Sequence, residues 1–339
     1  MRAALFTGLL AVGCFAALPA RSLEISCIEA SKYKYLFHIF DNDPQRMADY
    51  LKVGKTQIPD PEMCRAYLVV GSVEPLKDTE SDFDKLLTVL TANRGWLTTL
   101  YLGSRGGHIT MGLRLGELTR MFWLKTHAIE TREFDYVPDF FGSKGPGSAI
   151  DDPPPELRRG WEAYLAETKG IPAPRATGRG RCASSCSYLH VAGIDRYGRP
   201  YVHRPRQSKR KGESGSMADM LESLHRSEAR VIAFYRKMDA GSNVIRLFQS
   251  TPTATTVPVD VPRSPRHIYD YLRQRCKAPS NVKGDDREDW TTQCFAASHE
   301  RERRDQFAKL CPNGCDRKTI LRELNRRVRA LAPESRRKS

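Results

Sequence analysis

Apolar and polar positions alternate most regularly after Ala66. Tyr67-Leu68-Val69-Val70-Gly71 is a short apolar run that predicts a buried strand. Residues 82–91 set Phe83, Leu86, Leu87 and Leu90 on one helical face. Residues 97–102 repeat the strand pattern and end at Gly103-Ser104-Arg105-Gly106-Gly107. Helical spacing returns over 109–123, with Leu113 and Leu118 among its apolar positions. Strand, helix, strand, glycine turn and helix predict an α/β fold with right-handed crossovers.

The rhythm stops over residues 126–180. Gly142-Ser143-Lys144-Gly145-Pro146-Gly147-Ser148, Asp151-Asp152-Pro153-Pro154-Pro155, Pro172 and Pro174 are loop chemistry, with one short helix expected over 156–169. The stretch reads as an insertion that can serve as a lid. The pattern resumes through 182–192, turns at Gly193, and reaches a strand ending Tyr201-Val202-His203, followed by a basic loop over 204–211. A long helix is expected over 216–238, with Ser216 and Asp219 as a capping box. Residues 257–262 read as extended and 264–275 as helical. Residues 23–63 show no period and form an N-terminal extension to a main domain over 64–275. Residues 276–339 form a basic helical C-terminal extension, expected to be solvated.

Residues 1–22 read as an export signal: Arg2, an apolar run over 3–18, then Pro19-Ala20-Arg21-Ser22. The run is too short to span a bilayer, and no later segment is long and apolar enough, so no membrane span is expected after cleavage. Ala11-Val12-Gly13-Cys14 loosely matches a lipidation site, but the apolar run continues past Cys14. A periplasmic or secreted location follows. Without Cys14 the remaining cysteines are an even set, as in proteins that oxidise their thiols after export. Sequence leaves their pairing open, and chain order suggests Cys27–Cys64, Cys182–Cys186, Cys276–Cys294 and Cys311–Cys315. The two C-x-x-x-C spacings lack histidines at zinc-finger distance, so neither a metal nor another cofactor is expected. The 339 residues carry a net charge of +15 with 40% hydrophobic content, as in a globular protein. No aromatic residues interleave with the basic runs, which argues against a nucleic-acid partner.

Two segments carry candidate chemistry. In Gly103-Ser104-Arg105-Gly106-Gly107-His108, a strand opening into a helix at paired glycines bares backbone N–H groups of the kind an oxyanion hole needs. In Cys182-Ala183-Ser184-Ser185-Cys186, small residues lead into a helix whose N-terminus favours negative charge. His203, at a strand end, supplies an imidazole able to take a serine proton. On residue types alone, Ser184 equally reads as a helix cap and His203 as a surface histidine.

Together these segments resemble the Clp protease subunit and the wider crotonase-like superfamily. Ser104-Arg105-Gly106-Gly107-His108-Ile109-Thr110-Met111-Gly112 matches that family's Ser-Pro-Gly-Gly turn and Ile-Thr-x-Gly helix, with Arg105 in place of proline. Ser184 stands nine residues before Gly193, the family's spacing from nucleophile to glycine, and His203-Arg204-Pro205 matches its His-Gln-Pro triplet. Cys182 and Cys186 around Ser184 are similar to the Cys-x-Ser-x-Cys of exported bacterial members. The resemblance implies a spiral core of repeated ββα units, a serine hydrolase acting on peptides or proteins, and a homo-oligomer. It implies Ser184 as nucleophile, His203 as base, and the amides of Gly106, Gly107 and Ser185 as oxyanion donors. The family's catalytic aspartate has no counterpart over 251–256, and Asp260 is the nearest carboxylate, out of register. The same features allow a non-catalytic envelope protein that keeps the fold as a binding or assembly scaffold.

Overall fold

The computed structural model describes residues 22–30, 43, 45–46, 64–76, 81–131, 133–136, 176–205, 216–282 and 284–331. The export signal (apart from Ser22), the middle of the insertion and the helix expected over 156–169 lie outside the described residues. The fold is mixed α/β, around a mostly parallel sheet.

Strand β2 (Cys64–Val73) lies between β1 (Glu24–Ala30), which runs antiparallel to it, and β3 (Thr99–Gly107), which runs parallel. Beyond β3 follow β4 (Lys125–Ala128) and the two-residue β7 (Arg196–Tyr197), both parallel, giving the order β1-β2-β3-β4-β7. Residues 23–63 show no sequence period, yet β1 lies there, because register shifts after Cys27 break the two-residue alternation. Its start is pinned by the buried Asp82 carboxylate, which accepts from the Leu23 N–H at 3.1 Å and the Glu74 N–H at 2.7 Å. Burial raises the Asp82 pKa against the opposing pull of those two amides.

Helix α1 (Asp82–Ala92) starts at a capping box made by Ser81 and Asp84, and buries Phe83, Leu86, Leu87 and Leu90. Helix α2 (Ile109–Met121) crosses close to α3 (Cys186–Ala192): a Cβ on Gly112 would lie 2.7 Å from Ser185 Cβ, and one on Gly116 2.9 Å from the Tyr188 carbonyl. Around α2 and α3 pack α4 (Met217–Lys237), α5 (Ser242–Ser250) and the short antiparallel pair β8 (Tyr201–Val202) and β9 (Val257–Pro258). The two ends of the 126–180 segment are not plain loop: β5 (Glu133–Tyr136) pairs antiparallel with β6 (Ala176–Arg179).

The C-terminal extension differs from a solvated appendage. After α6 (Arg266–Arg275) come α7 (Asp285–Leu310) and α8 (Arg317–Arg329). Ile320, Leu324 and Val328 form a buried stripe on α8, and Ile320 and Leu324 join the same core as Leu115 and Leu118 of α2. The buried Glu117 of α2 pairs with Lys237 of α4 and with Arg327 of α8, 3.6 Å away, so its charge is compensated from two helices. Four cysteine pairs are bonded: Cys27–Cys64, Cys182–Cys186, Cys276–Cys294 and Cys311–Cys315. They tie β1 to β2, close the turn before α3, join α6 to α7 and clamp the α7–α8 turn. Among the described residues no helix is long and apolar enough to cross a membrane.

If α8 belongs to the core, Leu324→Ala will destabilise the protein by about 3 kcal/mol, the usual size for a buried leucine. Urea unfolding followed by circular dichroism measures it, and a loss within error of zero would return α8 to the surface.

Candidate functional site

The glycine segment is not the turn its sequence predicts. β3 continues through Gly107, where it stays paired with Val73 of β2. Gly106 and Gly107 hold φ of 84° and 147°, and a Cβ on Gly107 would stand 2.1 Å from the Val73 carbonyl, so only glycine lets the strand finish here. His108 then caps α2, its Nδ1 accepting from the Met111 N–H at 3.2 Å.

The bared strand end meets the disulfide turn. A Cβ on Gly106 would fall 2.5 Å from the Ala183 carbonyl and Ser184 Cβ, and 2.8 Å from the Ser185 nitrogen. The two backbones are therefore in direct contact. The Ala183 N–H donates to the Ser104 carbonyl at 3.0 Å and the Ser184 N–H to the Tyr201 carbonyl at 3.0 Å. The turn is thus stitched between β3 and the strand that leads to His203. Ser184 is a non-glycine residue at φ 56°, in the left-handed region, and is half-buried. Below it, Ser187 Oγ donates to the Ser184 carbonyl at 2.6 Å and lies 2.8 Å from the Tyr235 hydroxyl on α4. Ser187 and Tyr235 are supports that sequence reasoning missed; a serine three residues into a helix and a tyrosine in a distant one carry no joint pattern. Tyr235 is wholly buried, which pushes its hydroxyl pKa above the usual range.

His203 is half-buried, immediately after β8. Its Nδ1 sits 2.6 Å from the Arg204 carbonyl. A carbonyl only accepts, so Nδ1 carries the proton and Nε2 holds the free lone pair. Ser184 Oγ makes no hydrogen bond among the described residues, to His203 or to any other group. Asp260 is exposed and lies close enough to Arg199 to act on its charge; no hydrogen bond or ion pair among the described residues ties it to His203. The Gly106 N–H donates to Ser104 Oγ at 3.1 Å, and that hydroxyl donates to the Gly71 carbonyl at 2.8 Å. Of the expected oxyanion donors, the Gly106 amide is therefore committed within the protein. The Ser185 amide donates to no group among the described residues, and the residue is wholly buried with its Oγ unpartnered. Cys182 and Cys186 bracket the turn with Cα atoms 5.2 Å apart, and Cys182 precedes the first turn of α3.

The other histidines have different work. His190, on α3, is wholly buried, and its Nε2–H donates to the Tyr197 carbonyl at 3.0 Å. His127 stacks between Tyr101 and Tyr197, with ring centroids 5.0 and 6.0 Å away. Among the described residues no group of histidine, cysteine and acidic side chains is arranged to hold a metal ion.

Burial lowers the His190 pKa from 6.5 to about 3. The unfolded chain therefore takes a proton there below pH 6.5 while the folded chain refuses it until about pH 3. Its contribution to stability is whole above pH 6.5 and is lost as pH falls through that window. The lost stability approaches about 1.4 kcal/mol per pH unit. Urea midpoints between pH 7 and 5 will show this slope, and His190→Gln will flatten it; an unchanged slope in the variant would show that His190 does not carry it.

Set beside known proteins, the chain matches no family model and no curated protein.

Proposed function

We propose that this chain is a serine hydrolase acting on peptides in an oxidising compartment, with Ser184 as nucleophile and His203 as general base. The observation that carries the reading is the backbone of Ser184. A serine in the left-handed region at the entry to a helix costs on the order of 1 kcal/mol or more. That strain is held by a disulfide, by the Tyr201 and Ser104 carbonyls, and by Ser187 from beneath. Strain fixed from so many sides is characteristic of a residue placed for chemistry.

His203 would take the Ser184 proton on Nε2. In serine proteases a carboxylate fixes the base's tautomer; here the Arg204 carbonyl does so. A carbonyl stabilises an imidazolium less than a carboxylate does, so turnover is slow. Of the expected oxyanion donors, the Ser185 amide is committed to no group among the described residues, although the residue is wholly buried. The mixed α/β fold with its mostly parallel β2-β3-β4-β7 sheet is compatible with the resemblance to the Clp protease subunit and the crotonases, whose repeated ββα spiral is part of this proposal. The four disulfides favour a compartment where thiols oxidise, periplasmic or extracellular.

A second reading, a binding or assembly scaffold on the same fold, is favoured by the commitment of the Gly106 amide to Ser104. A fluorophosphonate probe separates the two. The full chain will label slowly, Ser184→Ala not at all, and His203→Ala about a hundredfold more slowly than wild type. Equal labelling of wild type and Ser184→Ala removes Ser184 from its role. An unlabelled wild type selects the scaffold.

A further inference from the structure

We propose that the cleft at the amino-terminal end of β4 is a second binding site, for a small organic carboxylate with an aromatic body. The cleft encloses about 420 Å³, within the range of small-molecule sites. Lys125, which begins β4 and pairs with Thr99, stands on its wall. Ser184 lies against Gly106 at the other end of β3, so the cleft is at the opposite end of the sheet from the proposed hydrolase site. The inference does not rest on that hydrolase reading.

Two donors in the cleft have nothing to donate to among the described residues. Lys125 Nζ comes within 3.8 Å of Asp195, an ion pair too long for a hydrogen bond, and makes no hydrogen bond. Asp195 is already engaged: its oxygens accept from the Tyr197 hydroxyl at 2.9 Å and from Arg263 Nε at 3.1 Å. His299 is 6% exposed, and its buried Nδ1 has no hydrogen-bond partner; its Nε2 makes none either. Burial, and then the charge of Lys125, hold its pKa down to about 4, so near neutral pH the ring presents one N–H and one lone pair.

The sign of the charge decides the ligand. Arg65, Arg263 and Arg303 all press on the Lys125 ammonium. Against these cations stand Asp195 and Glu300, the latter 3.5 Å from Arg65 and 3.9 Å from Arg303. Among the described residues the surplus is positive, in a partly desolvated wall where a bound anion is favoured. A carboxylate reaching Lys125 Nζ and the His299 N–H satisfies both donors and offsets the crowding of cations. Tyr269 and Phe295, packed edge to face with centroids 5.9 Å apart, line the same cleft and offer an aromatic surface. An inorganic anion would use the charges and leave this surface unused.

Isothermal titration of the full chain with phenylacetate, and with its neutral isostere phenylacetamide, tests the site. Phenylacetate should bind saturably and phenylacetamide at least about tenfold more weakly. Lys125→Met should cut phenylacetate affinity about tenfold and leave phenylacetamide unchanged. An acetylated peptide with a free C-terminal phenylalanine distinguishes the sources: equal affinity assigns the carboxylate to a chain terminus, and weaker binding to a free acid. No saturable binding of phenylacetate, equal binding of acid and amide, or an unaffected Lys125→Met variant would each overturn the proposal. If Lys125→Met does not fold, the wild-type difference between acid and amide decides alone.

Discussion

The candidate site depends on one close approach: the α-carbon of Gly106 lies against the backbone of Ala183 and Ser185 and the Cβ of Ser184. No side chain fits there, since a Cβ would come within 2.5 Å of both a carbonyl oxygen and Ser184 Cβ. The approach fixes how β3 and the entry to α3 sit together, and so where Ser184 points. The Cys182–Cys186 bridge, the hydrogen bond from Ser184 to Tyr201 and the Ser187–Tyr235 pair all act on this junction. The strain in Ser184 persists because the surroundings over-determine it.

Contacts elsewhere in the fold back this junction. Glycines 112 and 116 bring α2 onto α3, which holds Ser185 and Tyr188 from behind. Helix α2 is held in turn by α8 through Leu324 and by Glu117 through its two cationic partners. The C-terminal helices are thus part of the mechanical path to the site, although they contribute no residue to it. Arg196 reinforces the far end of α3, its buried guanidinium donating to the carbonyls of Gly193, Met238, Asp239 and Pro262.

Elements with a clean apolar period were legible in the sequence: the strands within β2 and β3, helices α1 and α2, and α4 with its Ser216–Asp219 box. β1 was not, because its bulge breaks the alternation. β7, two residues long, is too short to carry a period, whereas β8 falls where a strand ending at His203 is expected. The stripe Ile320, Leu324 and Val328 was present but crowded by arginines, so charge hid a buried face. At the candidate site, residue types alone left Ser184 as a helix cap and His203 as a surface histidine, and only the resemblance to the Clp protease subunit implied roles for them and for Gly106. Their finer states were not legible: the left-handed φ of Ser184, the carbonyl on His203 and the commitment of the Gly106 amide all come from tertiary contacts between distant segments. Asp260, the carboxylate nearest in sequence to the family's aspartate position, is exposed and acts on the charge of Arg199, and no hydrogen bond or ion pair among the described residues ties it to His203.

The most direct test of the junction compares two glycines that share a left-handed backbone and differ in their surroundings. Gly106 has φ 84° and meets Ala183 and Ser184; Gly314 has φ 94° and would place a Cβ in open space. Urea unfolding of Gly106→Ala and Gly314→Ala therefore separates backbone strain from close approach. The account predicts that Gly106→Ala loses at least about 2 kcal/mol more than Gly314→Ala. Equal losses in the two variants would contradict it.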